Sequence, residues 1–182
     1  MSILLDNQLL PDPTPFSLSA CVAVSADAVL APITQGDTAI KWPNDLYWKR
    51  RKLGGILLES GRIWTIVGIG ININQTQFPG QLPNPVSLKQ ITGKDQDPKA
   101  LSFEIIRSLN QRLADWERTG FESIFEAYRS QLFGKEEVFS VRENGTEKSI
   151  RVKDVTSEGG LCIEEQGKAR TVVRGIEWLI TP

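Results

Sequence analysis

Apolar positions along this chain follow three rhythms in turn. The opening "SILL", residues 2–5, reads as a short strand, broken by the proline-rich "LLPDPTP". Thr14 followed by Pro15 is the signature of a helix start. The run from Phe16 to Leu30 is rich in Ala and Val with little charge, which predicts a helix buried on most sides and ended by Pro32. "TAIKW", Thr38 to Trp42, predicts a strand stopped by Pro43. "GGILLES" and "IWTIVGIGINI" predict two more strands, joined by a tight turn at "SGR" as a β-hairpin. In the second of these, Val67, Ile69 and Ile71 alternate with Gly68, Gly70 and Asn72, so one face is bulky and the other nearly bare.

Residues 74–97, with Pro79, Pro83 and Pro85, show little periodicity and read as loop. Asp97-Pro98 opens a helix with Leu101, Ile105, Leu109, Leu113 and Trp116 on one face. A second amphipathic helix carries Phe121, Ile124, Phe125, Tyr128 and Leu132. From Val138 the rhythm changes to short strands and turns, with Asn144-Gly145 as a hairpin signal and "SEGG" and "EQGK" as further turns. This predicts an α+β protein with a first unit over residues 1–133 and a small SH3-like β-barrel over 134–182.

Composition narrows the chemistry. The chain has 182 residues and a net charge of −1, so nucleic acid is not the expected partner. No apolar run in the sequence reads as long enough to span a membrane, and the start lacks a secretory pattern. Cys21 and Cys162 lie far apart in apolar surroundings, which predicts buried free thiols in a reducing cytoplasm. The five tryptophans read as core. There is no histidine, so catalysis through a Ser-His-Asp or Cys-His arrangement, or a His-ligated zinc, is excluded within this chain.

The candidate chemistry lies between Lys41 and Asn74. Asp45 follows "WPN" on a short rigid turn. It either holds Mg²⁺ or orients an amine, or it bonds its own backbone as turn aspartates do. Lys52, at the mouth of an apolar strand, meets a carboxylate or phosphate, or snorkels to water. Arg50 and Arg51 read as solvated charges at a hairpin tip. Gly54 and Gly55 mark a close approach to the strand backbone, by a ligand or by packing. Gly68 and Gly70 repeat that logic next door, so that two bare strands offer one floor for a flat ligand. "GIGIN" lacks the third glycine and the following helix of a dinucleotide fingerprint. Asn72 and Asn74 face a nucleobase edge or cap the strand end.

In this order and spacing, "KWPNDL", "KLGGILLE" and "IVGIGININ" resemble the biotin–protein ligase family, and the ending "VVRGIEWLI" resembles its SH3-like terminal domain. The resemblance covers essentially the whole chain. It implies a class II synthetase-like core, a mixed sheet with helices, that makes biotinyl-AMP from biotin and Mg²⁺-ATP and passes biotin to a lysine of a biotin carboxyl carrier protein or domain. By resemblance Lys52 contacts the biotin carboxylate and α-phosphate. Asn44 and Asp45 lie near the phosphates, the metal and the incoming lysine. Gly55, Ile56, Leu57 and Gly68 line the biotin pocket, and Asn72 the nucleotide site.

The family's glycine- and arginine-rich loop, G-R-G-R-x-G-R-x-W, has no counterpart here, and "MSILL" resembles the strand that follows it. The expectation is a core truncated at its start, with an exposed sheet edge that favours a homodimer. The family's C-terminal arginine also has no clear match. Two other readings stand beside a ligase: a non-catalytic remnant that retains nucleotide or carrier binding, and an adapter whose SH3-like end binds a protein.

Overall fold

A computed structural model describes residues 1–11, 13–80, 82 and 84–180; Pro83 lies outside them. The element order is β1 (Ser2–Asp6), α1 (Pro15–Ile33), β2 (Thr38–Lys41), β3 (Asp45–Trp48), β4 (Arg51–Ser60), β5 (Trp64–Ile71), α2 (Leu88–Thr92), α3 (Pro98–Thr119), α4 (Glu122–Ser130), β6 (Val138–Glu143), β7 (Thr146–Val155), β8 (Leu161–Glu165), β9 (Lys168–Val172) and β10 (Ile176–Trp178). A 3₁₀ turn at Asn7–Leu9 follows β1.

The first sheet has the order β1-β5-β4-β3-β2, and every pairing of its strands is antiparallel. This corrects the expected mixed sheet. Short turns join β2 to β3, β3 to β4 and β4 to β5, and a short turn can only reverse the chain. Among the described residues, parallel pairing is confined to the bridges Ile40–Leu132 and Lys52–Pro85.

Helix α1 starts as its sequence requires. The Thr14 hydroxyl accepts from the Ser17 amide, and the Ser17 hydroxyl accepts from the Thr14 amide. The helix runs through Pro32 to Ile33 and does not stop before it. The carbonyl that Pro32 leaves without a helical donor is that of Ala28, an exposed residue, so water can satisfy it. At 19 residues α1 is long and apolar enough to cross a membrane by length and composition. Here Leu18, Ala20 to Ala26 and Leu30 are buried against α3, α4 and the first sheet, which makes it the core helix of the molecule. Asp97 caps α3 through the amides of Lys99 and Ala100. Its buried stripe of Leu101, Ile105, Leu109 and Trp116 follows the helical period. Burying each such side chain stabilises the fold by about 2 kcal/mol.

The second sheet is an antiparallel meander of order β10-β6-β7-β8-β9. Asn144 and Gly145 both take positive φ, 51° and 78°, as their hairpin turn demands. The two sheets meet at a seam. Tyr47, Phe133, Phe139 and Trp178 pack in sequence with ring centres 5.0–5.4 Å apart. The Trp42 indole donates to the Gly159 carbonyl at 2.8 Å, and Arg129 forks onto Asp154. Arg50 is a solvated charge at the β3–β4 turn, its side chain 53% exposed and paired with Glu137 at 2.5 Å, whereas Arg51 is half-buried and donates to the Pro85 carbonyl at 2.6 Å.

Two further expectations need correction. Cys162 is half-buried rather than buried, although Cys21 is enclosed and burial pushes its thiol up to about 12. Trp64 is 46% exposed, because it sits on the uncovered face of β5 with Ile66.

Candidate functional site

The site lies on the face of the first sheet turned away from the helices. Cross-strand partners share a face. Lys41 on β2 opposes Asp45 on β3, Asp45 opposes Gly55 on β4, and Gly55 opposes Gly70 on β5. One row thus runs across four strands as Lys, Asp, Gly, Gly. The next row joins Leu57 to Gly68. The opposite face holds Ile40, Leu46, Ile56, Val67 and Ile69, all buried.

Strict alternation would send Lys52 to the helix side with Gly54 and Ile56. A bulge prevents this. Leu46 pairs with Gly54 but Tyr47 pairs with Lys52, so Leu53 is an extra residue in β4. The bulge turns Lys52 onto the face of Asp45 and Gly55, a use of irregular pairing common beside functional sites. Lys52 Nζ lies 2.5 Å from Asp45 Oδ1. Lys41 Nζ lies 3.7 Å from Asp45 Oδ2. One carboxylate therefore sits between two ammonium groups, and the cluster carries a surplus positive charge. Burial, opposed by Asp45, draws the Lys41 ammonium below the usual lysine range, and Lys52 adds to that lowering. Burial, helped by Asp45, pushes the Tyr47 phenol up to about 12.

A cavity of about 450 Å³ opens over this cluster. It gathers Asn44, Asp45, Lys52, Gly55, Ile56, Leu57, Gly68 and Gly70 of the sequence-derived residues, together with Met1 and Ile69. Gly54 and Asn72 are not in its lining. Gly54 is packed too tightly for any side chain: a Cβ there would run into the Gly70 carbonyl oxygen. Asn72 is turned to the β4 backbone, its side-chain Nδ2 donating to the Lys52 carbonyl oxygen at 3.4 Å. Asn74 is committed to the loop, exchanging bonds with the Gln96 backbone. Asn44 donates to the Ile56 carbonyl at 2.6 Å, which ties the "WPN" turn to the cavity floor. A second cavity, of about 570 Å³, shares Asn44 and Leu57 with the first and is lined further by Phe16, Trp42, Gly159 and Val173.

Lys41 escaped the sequence reading. Its signal was present: a lysine four residues before Asp45, across a tight reversal that makes the two cross-strand partners. Among the described residues no three Asp, Glu, His or Cys side chains cluster as a metal cage.

This arrangement, a lysine pair on one aspartate above a glycine floor, suits a flat ligand bearing negative charge. The comparisons with known proteins agree in kind. The model of the biotin/lipoate A/B protein ligase family matches residues 1–75. The biotin–[acetyl-CoA-carboxylase] ligase of Mycobacterium tuberculosis is 28% identical over 87% of this chain and 60% of its own length. The bifunctional ligase/repressor BirA of Bacillus spizizenii is 34% identical over 91% of this chain and 53% of its own. The chain thus spans a little over half the length of these relatives. Among solved structures, the biotin protein ligase of Aquifex aeolicus in complex with biotin and ATP superposes with a TM-score of 0.84 at 24% identity, covering 99% of this chain and 77% of that one; this likeness establishes the fold. Over residues 1–75 the chain is thus similar to the biotin/lipoate A/B protein ligase family, and the curated relatives it matches are biotin–protein ligases.

Proposed function

We propose that this chain acts as a biotin–protein ligase: it forms biotinyl-5′-AMP from biotin and ATP and transfers biotin to a lysine of a carboxylase carrier domain. The observation that carries this reading is the surplus cation at the glycine floor, where Lys52 and Lys41 flank a single Asp45. Two anions must be brought together for adenylation, a carboxylate and a triphosphate. Lys52, 40% exposed, is free to swing from Asp45 onto them. The bare strands at Gly55, Gly68 and Gly70 let a flat ring lie against the backbone.

The chemistry follows from charge and alignment. A carboxylate oxygen of biotin attacks the α-phosphorus in line, and pyrophosphate leaves. The acceptor lysine then attacks the acyl carbon, the bond to AMP breaks, and the amine's proton passes to a nearby base. Asp45 is the carboxylate at the cavity placed to orient that amine and take the proton. A magnesium ion carried in on the triphosphate would be held by Asp45 once Lys52 has moved to the phosphates, since such ions need only one or two protein carboxylates. When bound it neutralises phosphate charge.

The finer organisation belongs to the same proposal. We divide the chain at residue 134, assign the second sheet as the SH3-like terminal domain on its resemblance, and place the protein in the cytoplasm. Leu4 and Leu57, each 60% exposed, with Ile66 and Trp64, leave an apolar face beside the cavity. We assign that face and the β1 edge to a homodimer, which light scattering at rising concentration would reveal.

The direct test mixes the chain with biotin, Mg²⁺-ATP and a purified carrier domain and reads the carrier's intact mass. A biotin-sized gain is expected. Lys52→Ala, with folding checked by circular dichroism, would slow adenylate formation by about a hundredfold or more. An undiminished rate would remove Lys52 from the mechanism. Retained biotin and ATP binding without any mass gain would favour the second reading, a non-catalytic binding module, which the openness of this face also fits.

A further inference from the structure

The row that leads to Asp45 begins at Lys41, a residue outside the cavity lining and almost out of solvent. Its side chain is 9% exposed. Its ammonium lies 5.0 Å from the ring centre of Trp178 and 5.4 Å from that of Tyr47, close enough for both ring faces to attract it. Burial works against this charge and Asp45 supports it. The Asp45 carboxylate is thereby gripped at both oxygens, but unequally. Oδ1 faces Lys52, whose side chain is 40% exposed. Oδ2 faces Lys41, which is locked between two rings.

One of those rings comes from the other sheet. Trp178 lies on β10, opposite Val141 of β6, and packs on Phe139 at 5.2 Å and Phe133 at 6.4 Å. Its indole N–H meets no acceptor among the described residues, so packing and the ring face define its place.

We infer that Lys41 is a positioning residue for Asp45, held by Trp178, so that the second sheet fixes the carboxylate facing the cavity. The mechanical sense is simple. An anionic ligand that draws Lys52 away frees Oδ1, while Lys41 keeps Oδ2 pinned. Asp45 then presents one free oxygen in a fixed direction. The assignment of the carboxylate's orientation stands on geometry alone; its effect on rate rests on the ligase reading above.

The test compares Lys41→Met, Lys41→Arg and Trp178→Leu in the full chain. Two readouts are needed. The first is the ¹³C resonance of the Asp45 carboxyl carbon, which needs no activity. Lys41→Met and Trp178→Leu should both move it, and Lys41→Arg should restore it. The second is transfer from preformed biotinyl-AMP to the carrier. The Met and Leu variants should slow it about tenfold or more, and Lys41→Arg should recover most of the loss. An Asp45 resonance unmoved by Lys41→Met would overturn the inference, as would an Arg variant no better than Met. Should Lys41→Met fail to fold, Trp178→Leu leaves the charge in place and decides the same point. A wild-type chain that transfers no biotin would dispose of the ligase reading, and the carboxyl resonance would still decide the link.

Discussion

Each of the two sheets carries a charged cluster, and the clusters are built on opposite principles. In the second sheet, Glu143, Lys148, Glu165 and Arg170 lie beyond Val141, Ile150, Ile163 and Val172 at the end of the buried face. Two acids and two bases make four pairings, from 2.7 to 3.4 Å. The cluster is balanced and closed, and has no unmet charge to offer. In the first sheet, two lysines share one aspartate at the edge of an open cavity. That cluster leaves a cation unanswered. A balanced group seals a fold; an unbalanced one beside bare backbone is a place for an anion.

The glycines divide the same way. In the second sheet they sit at turns with positive φ, as at Gly145, Gly159 and Gly167. In the first they sit within strands at Gly54, Gly55, Gly68 and Gly70, where the backbone would accept any residue and only space is at issue. The largest effect that sharpens this contrast is Gly54→Ala. The added methyl would meet the Gly70 carbonyl oxygen, which belongs to the adjoining central strand and cannot swing aside. A loss of about 3 kcal/mol is expected, read as a drop in the urea midpoint. An unchanged midpoint would mean the strands part easily and the close approach is incidental.

Next in size is Glu143→Gln, which breaks the balanced cluster. Hydrogen bonds from Arg170 and then Lys148 hold the Glu143 carboxyl down at about 2, against an ordinary value of 4.5. Its folded value lies below its unfolded one. Its contribution is therefore full above pH 4.5 and is lost as pH falls from 4.5 toward 2. The Gln variant should lose about 1–2 kcal/mol at neutral pH and show a flatter decline of Tm across that window. Asp154, also held down, chiefly by Arg129, keeps a residual slope in both proteins. Parallel Tm curves would show that the cluster does not couple to stability.

Smaller still is Gly145→Ala. Nothing lies within 4 Å of a Cβ there, so only the φ of 78° resists the change. About 1 kcal/mol is expected from thermal unfolding, with no effect on the cavity.

Much of this contrast was legible before any coordinates. The cap at Thr14, the buried run of α1, the β4–β5 hairpin, the stripe of α3 and the Asn144-Gly145 turn all follow from local pattern, because each is decided within a few residues. β3 and α2 fall where the sequence pattern predicts a turn and a loop. Four and five residues are too few to display a period, even though α2 has a complete capping box between Ser87 and Gln90. The site was half legible. Asp45, Lys52 and the glycine floor could be named, but the Leu53 bulge that turns Lys52 toward Asp45 is a property of pairing between strands. Lys41 needed the reversal at 42–44 and a tryptophan 137 residues later, and no local pattern announces either.

The smallest effect on stability is the most telling about function. Gly70 ends the row that begins at Lys41 and lines the cavity. Its nearest neighbour to an added Cβ is the Gly55 carbonyl oxygen at 3.9 Å, an ordinary contact. Folding thus has no need of glycine at this position. Replacing glycine by alanine here also reduces the freedom of the unfolded chain. Gly70→Ala should leave the urea midpoint unchanged or slightly raised, within about 0.5 kcal/mol. The methyl would nevertheless stand on the floor beside Gly55, in the layer that a flat ring must occupy. Isothermal titration with biotin and with ATP should show affinity for at least one of them weakened about tenfold, the scale set by one misplaced methyl group. If both bound as to the wild type, the bare patch at the end of the row would not be a ligand contact. The floor would then reduce to Gly55 and Gly68, nearer the lysines, and the surplus charge alone would distinguish the first sheet from the second.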